Sequence, residues 1–298
     1  MLRSQLLVAI GGLYWQHHLW YIRSPGVAIF SLRRIGRPPF LVQFGLRPAT
    51  GEKKLHVCVV VSDSYLQIYE KIFNRTLPNE FGSVDILHVR DHNSQPGYVG
   101  EYNFKRINYK KLEFVAKQMM AHEGDNLLVL DADIVCFENF KNEINNLLKE
   151  NDMVFQNNPH YKKMPYCIGV WGLQCSKKNI MFFGKEVMPR AEVLLFTKEE
   201  LNEMFYNQTR IPSCWQHTLN GEPEHYAGDQ CVINAAILEG DMGKEIKVSL
   251  LPDTYTQDAS GGKDPKNCVL YHATGVEQGI VNKATHLVNA HERIMKLK

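Results

Sequence analysis

Two carboxylates stand close together at the end of an apolar run in "LLVLDADIVCF", residues 127–137. In an extended segment residues i and i+2 point the same way, so Asp131 and Asp133 can face one ion or one water network together. Two carboxylates that close repel and raise one pKa, and a cation between them is the natural resolution. Oxygen ligands select a hard divalent ion, Mg²⁺ or Mn²⁺, that bridges to phosphate oxygens rather than being fully caged. In the competing reading Asp131 caps a turn and Asp133 is hydrated, and an isolated Asp-x-Asp does not decide between the two. Far along the chain, "VLYHATGVEQGIVNK" (269–283) ends an apolar run at His272 and continues to Gly275, Gly279 and Lys283. An imidazole beside two carboxylates tilts the choice of ion towards Mn²⁺. The glycines let backbone approach a phosphate, and Lys283 can neutralise a diphosphate. Taken alone, His272 is also an ordinary strand-end histidine.

Three further stretches carry polar groups at expected strand or helix ends. "VVVSDSYL" offers Ser62, Asp63 and Tyr65, types suited to gripping a base, although Tyr65 equally suits helix packing. "YKKL" places Lys110 and Lys111 where they can reach a sugar diphosphate or simply face solvent. "YAGDQCVINAAI" (226–237) opens an apolar helix with Asp229 and Gln230, and there Asp229 also suits an N-cap.

The elements that must position these groups alternate. "LHVCVVV" (55–61), "VDILHVR" (84–90) and "NLLVL" (126–130) read as strands. "YLQIYEKIFNRTL" and "YKKLEFVAKQMMAHE" (109–123) read as amphipathic helices between them. That βαβαβ order predicts an α/β fold with parallel strands and ligands at their carboxyl ends. Asp131 and Asp133 lie at one such end.

The remainder of the chain sets bounds. At 298 residues with 44% hydrophobic content it can bury a sizeable core. A formal charge of +2 gives no nucleic-acid-coating surface, so no nucleic-acid partner is expected. Seven cysteines have no CxxC pair and no zinc spacing. Residues 1–54 read as a leader and an Arg/Pro/Gly-rich linker, ahead of a domain over 55–298. Leu6 to Ile22 is apolar between Arg3 and Arg23. It reads either as a signal anchor, giving a type II Golgi or ER protein, or as a packed leader of a cytoplasmic one. Membrane association through residues 6–22 is tied to the first of these.

Taken together, these residues resemble the nucleotide-sugar-dependent glycosyltransferases of the GT-A fold, with likeness to glycogenin-like, bacterial galactosyltransferase and plant nucleotide-diphospho-sugar transferase families. The likeness is an ordered series over about residues 55–285. It implies a Rossmann-like, central mixed and mostly parallel sheet flanked by helices. It also implies that Ser62, Asp63 and Tyr65 hold base and ribose, that Lys111 touches the donor, and that "LVLDADI" is the metal-binding DxD motif. Asp229 and Gln230 inherit a place beside the donor sugar, His272 goes to the metal, and Lys283, with Gly275 or Gly279, goes to the diphosphate. Two departures stand out. Cys167-Ile168-Gly169 replaces a pattern of Asn, a small residue and Gly, with Gly169 retained as a donor residue. Lys111 stands where an arginine is frequent, exchanging a bidentate fork for a point charge.

The function expected from all this is metal-dependent transfer of a sugar from a nucleoside diphosphate donor, UDP-linked, to a glycan, glycoprotein or other hydroxyl acceptor. Retention of configuration is expected by the resemblance, with catalytic roles at Asp229 and Gln230. The acceptor side is expected within residues 157–225, where Tyr161, Tyr166, Trp171, Trp215, His217 and His225 are types that suit stacking on a sugar and equally suit a core or a loop, with residues 213–226 read as a loop. The rivals are a nucleotidyltransferase, which would want a Gly-rich basic loop after the first strand, and a noncatalytic nucleotide- or carbohydrate-binding relative.

Overall fold

The computed structural model describes residues 52–90, 102–158, 162, 164–195, 228–274 and 280–298, together with six short strands elsewhere. The chain divides into two compact units, Met1–Glu52 and Lys53–Lys298. In the first unit β1 (Gln5–Ile10) pairs antiparallel with β2 (Leu13–His18), and β3 (Ile29–Leu32) with β4 (Phe40–Gln43). Within the apolar run from Leu6 to Ile22 the described residues are those of β1 and β2. Among the described residues no helix is long and apolar enough to cross a membrane.

The second unit is built on a six-stranded mixed sheet. In chain order its strands are β5 (Leu55–Ser62), β6 (Val84–Val89), β7 (Asn126–Asp131), β9 (Met153–Asn157), β10 (Tyr166–Gln174) and β13 (Val248–Leu250). Between these fall the short strands β8 (Ile134–Cys136), β11 (His217–Leu219) and β12 (Glu222–Glu224). The sheet runs β13-β9-β10-β7-β5-β6, with only β10 antiparallel to its neighbours. It is thus a mixed, mostly parallel α/β sheet flanked by helices.

Both faces of the sheet are covered, which is why β5 and β7 read as continuous apolar runs rather than alternating ones. On β7, Leu127 and Val129 pack with the helices Tyr102–Ala121 and Asp229–Glu239. Leu128 and Leu130 point the other way, towards Phe73 and the helix Lys141–Glu150. After β5 the chain turns towards β6, whereas after β7 it turns towards β9 and β10. The crevice outside the carboxyl ends of β5 and β7 is therefore a topological switch point, where ligands bind in sheets of this kind. Val60 pairs with Asp131 across that boundary.

A second, three-stranded sheet closes this end of the molecule, in the order β14 (Tyr255–Thr256), β15 (Leu270–His272), β8. Its register sets Ile134 opposite His272, and Ala273 N donates to Asp133 O at 3.0 Å. That pairing carries His272 across nearly half the chain to the Asp-x-Asp segment.

Candidate functional site

Asp131 is the last residue of β7 and Asp133 lies in the tight turn before β8. The first has a side chain 34% exposed, the second only 6%. Each carboxylate has its two oxygens divided between different partners. Lys111 Nζ, from the helix Tyr102–Ala121, sits 2.5 Å from Asp131 Oδ1, and Lys283 Nζ, from the helix Ile280–Met295, sits 2.5 Å from Asp133 Oδ2. The remaining oxygens turn towards His272, whose Nε2 is 3.6 Å from Asp131 Oδ2 and 3.4 Å from Asp133 Oδ1. Three potential ligand atoms, two oxygens and one nitrogen, thus lie within 4.8 Å of one another. Cis ligands on an octahedral ion with bonds of roughly 2.1 Å stand about 3 Å apart, so small side-chain shifts suffice to close the set on one cation. Two carboxylates and one imidazole suit Mn²⁺ or Mg²⁺, and the nitrogen favours Mn²⁺.

Burial opposes charge throughout the cluster, and the close pairings outweigh it. Lys283 and His272 hold the Asp133 carboxyl well below the usual carboxylate range despite its burial. The reciprocal effect on the imidazole pushes His272 up to about 10. Asp229, the first residue of its helix, reaches Lys111 Nζ at 3.1 Å, and its Oδ1 accepts from Gln230 N at 3.0 Å. Burial and the nearby Asp131 nevertheless raise its carboxyl above the ordinary value, because one ammonium serves two carboxylates. The N-cap position belongs to Gly228, so Asp229 is not a cap. With a neutral imidazole, three carboxylates (Asp131, Asp133, Asp229) face two ammonium groups (Lys111, Lys283), leaving one net negative charge. A divalent cation would turn that into one net positive charge, the sign a diphosphate requires.

Lys111 is the hinge of this arrangement. Replacing it with methionine leaves two carboxylates facing each other without their shared cation, which costs toward the lower end of about 3–5 kcal/mol because Asp131 keeps some solvent. Denaturant unfolding of Lys111→Met is expected to show that loss, and an unchanged midpoint would contradict the ion triad.

Tyr65 lies under Lys283, whose Nζ is 5.4 Å from the ring centre. Ser62 Oγ and Ser64 Oγ are 2.8 Å apart at the end of β5. Asp63 is exposed and pairs with His88 Nε2 at 2.7 Å. Gly169 acquires a steric role: a Cβ there would stand 1.9 Å from His272 Cε1. The β9–β10 register slips between Cys167 and Trp171, and the bulge thus made brings Gly169 against the imidazole. Gly275 and Gly279 lie outside the described residues, as do Tyr161, Trp215 and His225.

For Trp171 the structure selects the core alternative. Trp171 is fully buried, stacked between Phe155 at 5.5 Å and Phe183 at 5.9 Å, so it is core and offers no surface to a sugar. Tyr166 packs on Phe155 at 5.1 Å. Within residues 213–226, expected to form a loop, β11 and β12 make a short hairpin.

Sequence reasoning missed Gln156, a buried amide at the end of β9 that accepts from His272 Nδ1 at 3.0 Å. It also missed Lys105, Asn108 and Lys111 as one buried polar stripe on their helix. Their spacing, every third residue, was the available signal.

No protein-family model and no curated sequence matches the chain. Three solved structures that it resembles are glycosyltransferases. One is a glycosyltransferase involved in the glycosylation of the major capsid of PBCV-1, aligned over 78% of this chain and 99% of that one, at 9% identity and TM-score 0.45. The galactosyltransferase LgtC, solved with donor and acceptor sugar analogs, aligns over 81% and 95%, at 13% identity and TM-score 0.42. GlyE of Streptococcus pneumoniae TIGR4 aligns over 83% and 64%, at 14% identity and TM-score 0.39. Likeness at that level concerns chain path alone, so the chemistry must come from the side chains.

A second histidine group, His56, Asp85 and His122, lies at the opposite end of β5. Its rings stack at 3.8 Å with planes 21° apart, so their in-plane lone pairs do not converge on one ion. The group closes instead on hydrogen bonds from His56 to Ser83 and Asp125, and from His122 to Asp85. Burial and the neighbouring His56 lower the His122 pKa from its ordinary 6.5. The unfolded chain therefore binds the proton more readily, and stability must fall as pH drops below about 6.5. His122→Asn should flatten the decline in Tm between about pH 7 and 5; parallel pH profiles would contradict this.

Proposed function

We propose that the chain is a metal-dependent glycosyltransferase that moves a sugar from a nucleoside diphosphate donor, UDP-linked, to an acceptor hydroxyl with retention of configuration. One observation carries this reading. Lysines hold one oxygen of each aspartate at the switch point, and the other two oxygens converge with His272 Nε2. Asp131, Asp133 and His272 would hold Mn²⁺ or Mg²⁺. When bound, the ion supplies positive charge for both phosphates of the donor and its departing diphosphate.

The chain's own groups complete the task. Lys111 and Lys283 flank the carboxylates and offset negative charge as the diphosphate leaves. Ser62, Asp63 and Tyr65, at the end of β5, take the base and ribose. Lys111 and Gln230 N fix the Asp229 carboxylate at the opening of its helix, and its remaining lone pairs accept from hydroxyls of the donor sugar, with Gln230 beside it. Gly275, Gly279 and Gly169 complete the donor residues in this reading. A glycan, glycoprotein or other hydroxyl compound serves as acceptor.

The test is release of UDP from UDP-sugars with Mn²⁺ present and with chelator present. The proposal expects turnover only with metal. Nucleotide binding without any turnover, across donors, would favour a noncatalytic relative.

A further inference from the structure

We infer that Gln156 is a positioning residue, which fixes the tautomer and orientation of His272 so that the Nε2 lone pair faces Asp131 and Asp133. This rests on the reading of those three residues as a cation site.

Gln156 is 1% exposed, at the end of β9, where an amide lacking partners would be costly. Its Nε2 donates to Tyr255 O at 3.1 Å. A carbonyl only accepts, so the amide nitrogen must face Tyr255 and the amide oxygen must face the histidine. Gln156 Oε1 lies 3.0 Å from His272 Nδ1, and since that oxygen only accepts, the proton sits on Nδ1. In a neutral ring the lone pair is then on Nε2, the atom 3.4 and 3.6 Å from the two aspartates. Tyr255 is itself anchored, its hydroxyl donating to Glu143 Oε2 at 2.5 Å and its amide to Pro252 O at 3.0 Å. The ring cannot turn away from this acceptor. Gly169 lies against one side, leaving no room even for a Cβ, and Cys167 Sγ is 3.8 Å from Nδ1. Cys167 and Gln156 are register partners on β10 and β9, so one rung of the sheet presents both to the imidazole.

A merely structural bridge from β9 to Tyr255 would depend on the donor end of the amide. Positioning of His272 depends on the acceptor end. Two substitutions separate these. Gln156→Leu removes both ends, whereas Gln156→Glu keeps the acceptor and loses the tether to Tyr255 O. The probe is Mn²⁺ alone, titrated into the full chain and followed by the resonance signal of the free ion, with melting curves in parallel.

Loss of an outer-shell partner costs roughly 10–100-fold in metal affinity. We expect that loss for Gln156→Leu, with Gln156→Glu within about threefold of wild type even where its Tm is lower. Equal affinity in wild type and Gln156→Leu would overturn the inference, and so would an equal fall in both variants. If the leucine variant does not fold, Gln156→Asn replaces it, since its shorter amide cannot reach Nδ1. Wild-type protein that binds no Mn²⁺ would instead overturn the cation site itself.

Discussion

Asp133→Asn loses more than about 100-fold in Mn²⁺ affinity, exceeding the roughly 10–100-fold that outer-shell changes produce. The carboxylate has a cation on each side, Lys283 at Oδ2 and His272 at Oδ1. An asparagine must turn its NH₂ towards one of them. Facing Lys283, it sets donor against donor; facing His272, it places two hydrogens where the ion would be held. Neither orientation restores the site. Removing one partner of a buried pair also costs about 3–5 kcal/mol, so Tm should fall as well. Calorimetric titration well below that Tm separates the two effects. Unchanged Mn²⁺ affinity in folded Asp133→Asn would contradict the assignment of this residue.

Gly169→Ala is expected to act almost as strongly without touching a charge. Its Cβ would lie 1.9 Å from His272 Cε1, far inside contact distance, and in a strand bulge enclosed by core. Either the imidazole swings away from the aspartates or the β10 backbone shifts. Overpacking of this kind costs typically about 1–3 kcal/mol. The associated loss of Mn²⁺ binding should again exceed about tenfold, because the ring is displaced from both its acceptor and its ion. A double-mutant cycle gives the decisive comparison: in a His272→Ala background, the stability cost of Gly169→Ala should largely vanish. A cost that persists there would mean the clash lies with the backbone and not with the histidine.

The sheet was legible in the sequence where both faces are buried. The run "NLLVLD" is apolar because it packs against helices on both sides, and the Asp pair was conspicuous because it ends that run. His272 could be singled out for the same reason, as the polar end of "VLYH". What could not be read is which partners those ends meet. The antiparallel register of β8 with β15 joins positions that no local pattern links. The steric role of Gly169 depends on a bulge, and that of Gln156 on a strand neighbour. The helix carrying Lys111 was expected over 109–123 yet spans Tyr102–Ala121, because its first turns bury Lys105 and Asn108 and so lack an apolar signature. Trp171 suited a sugar platform or a core by residue type, and the sheet turns it inward. At the N-terminus apolar content left a signal anchor and a packed leader open, and periodicity did not single out the strands β1 and β2.

The most direct test of the account is calorimetric titration of the full chain with UDP, with Mn²⁺ present and then with chelator. UDP should bind when the metal is there and be lost when it is removed, since without the ion the three carboxylates only balance Lys111, Lys283 and the protonated His272, and no net positive charge is left for a diphosphate. Failure of UDP and of other nucleoside diphosphates to bind folded protein with Mn²⁺ present would contradict it.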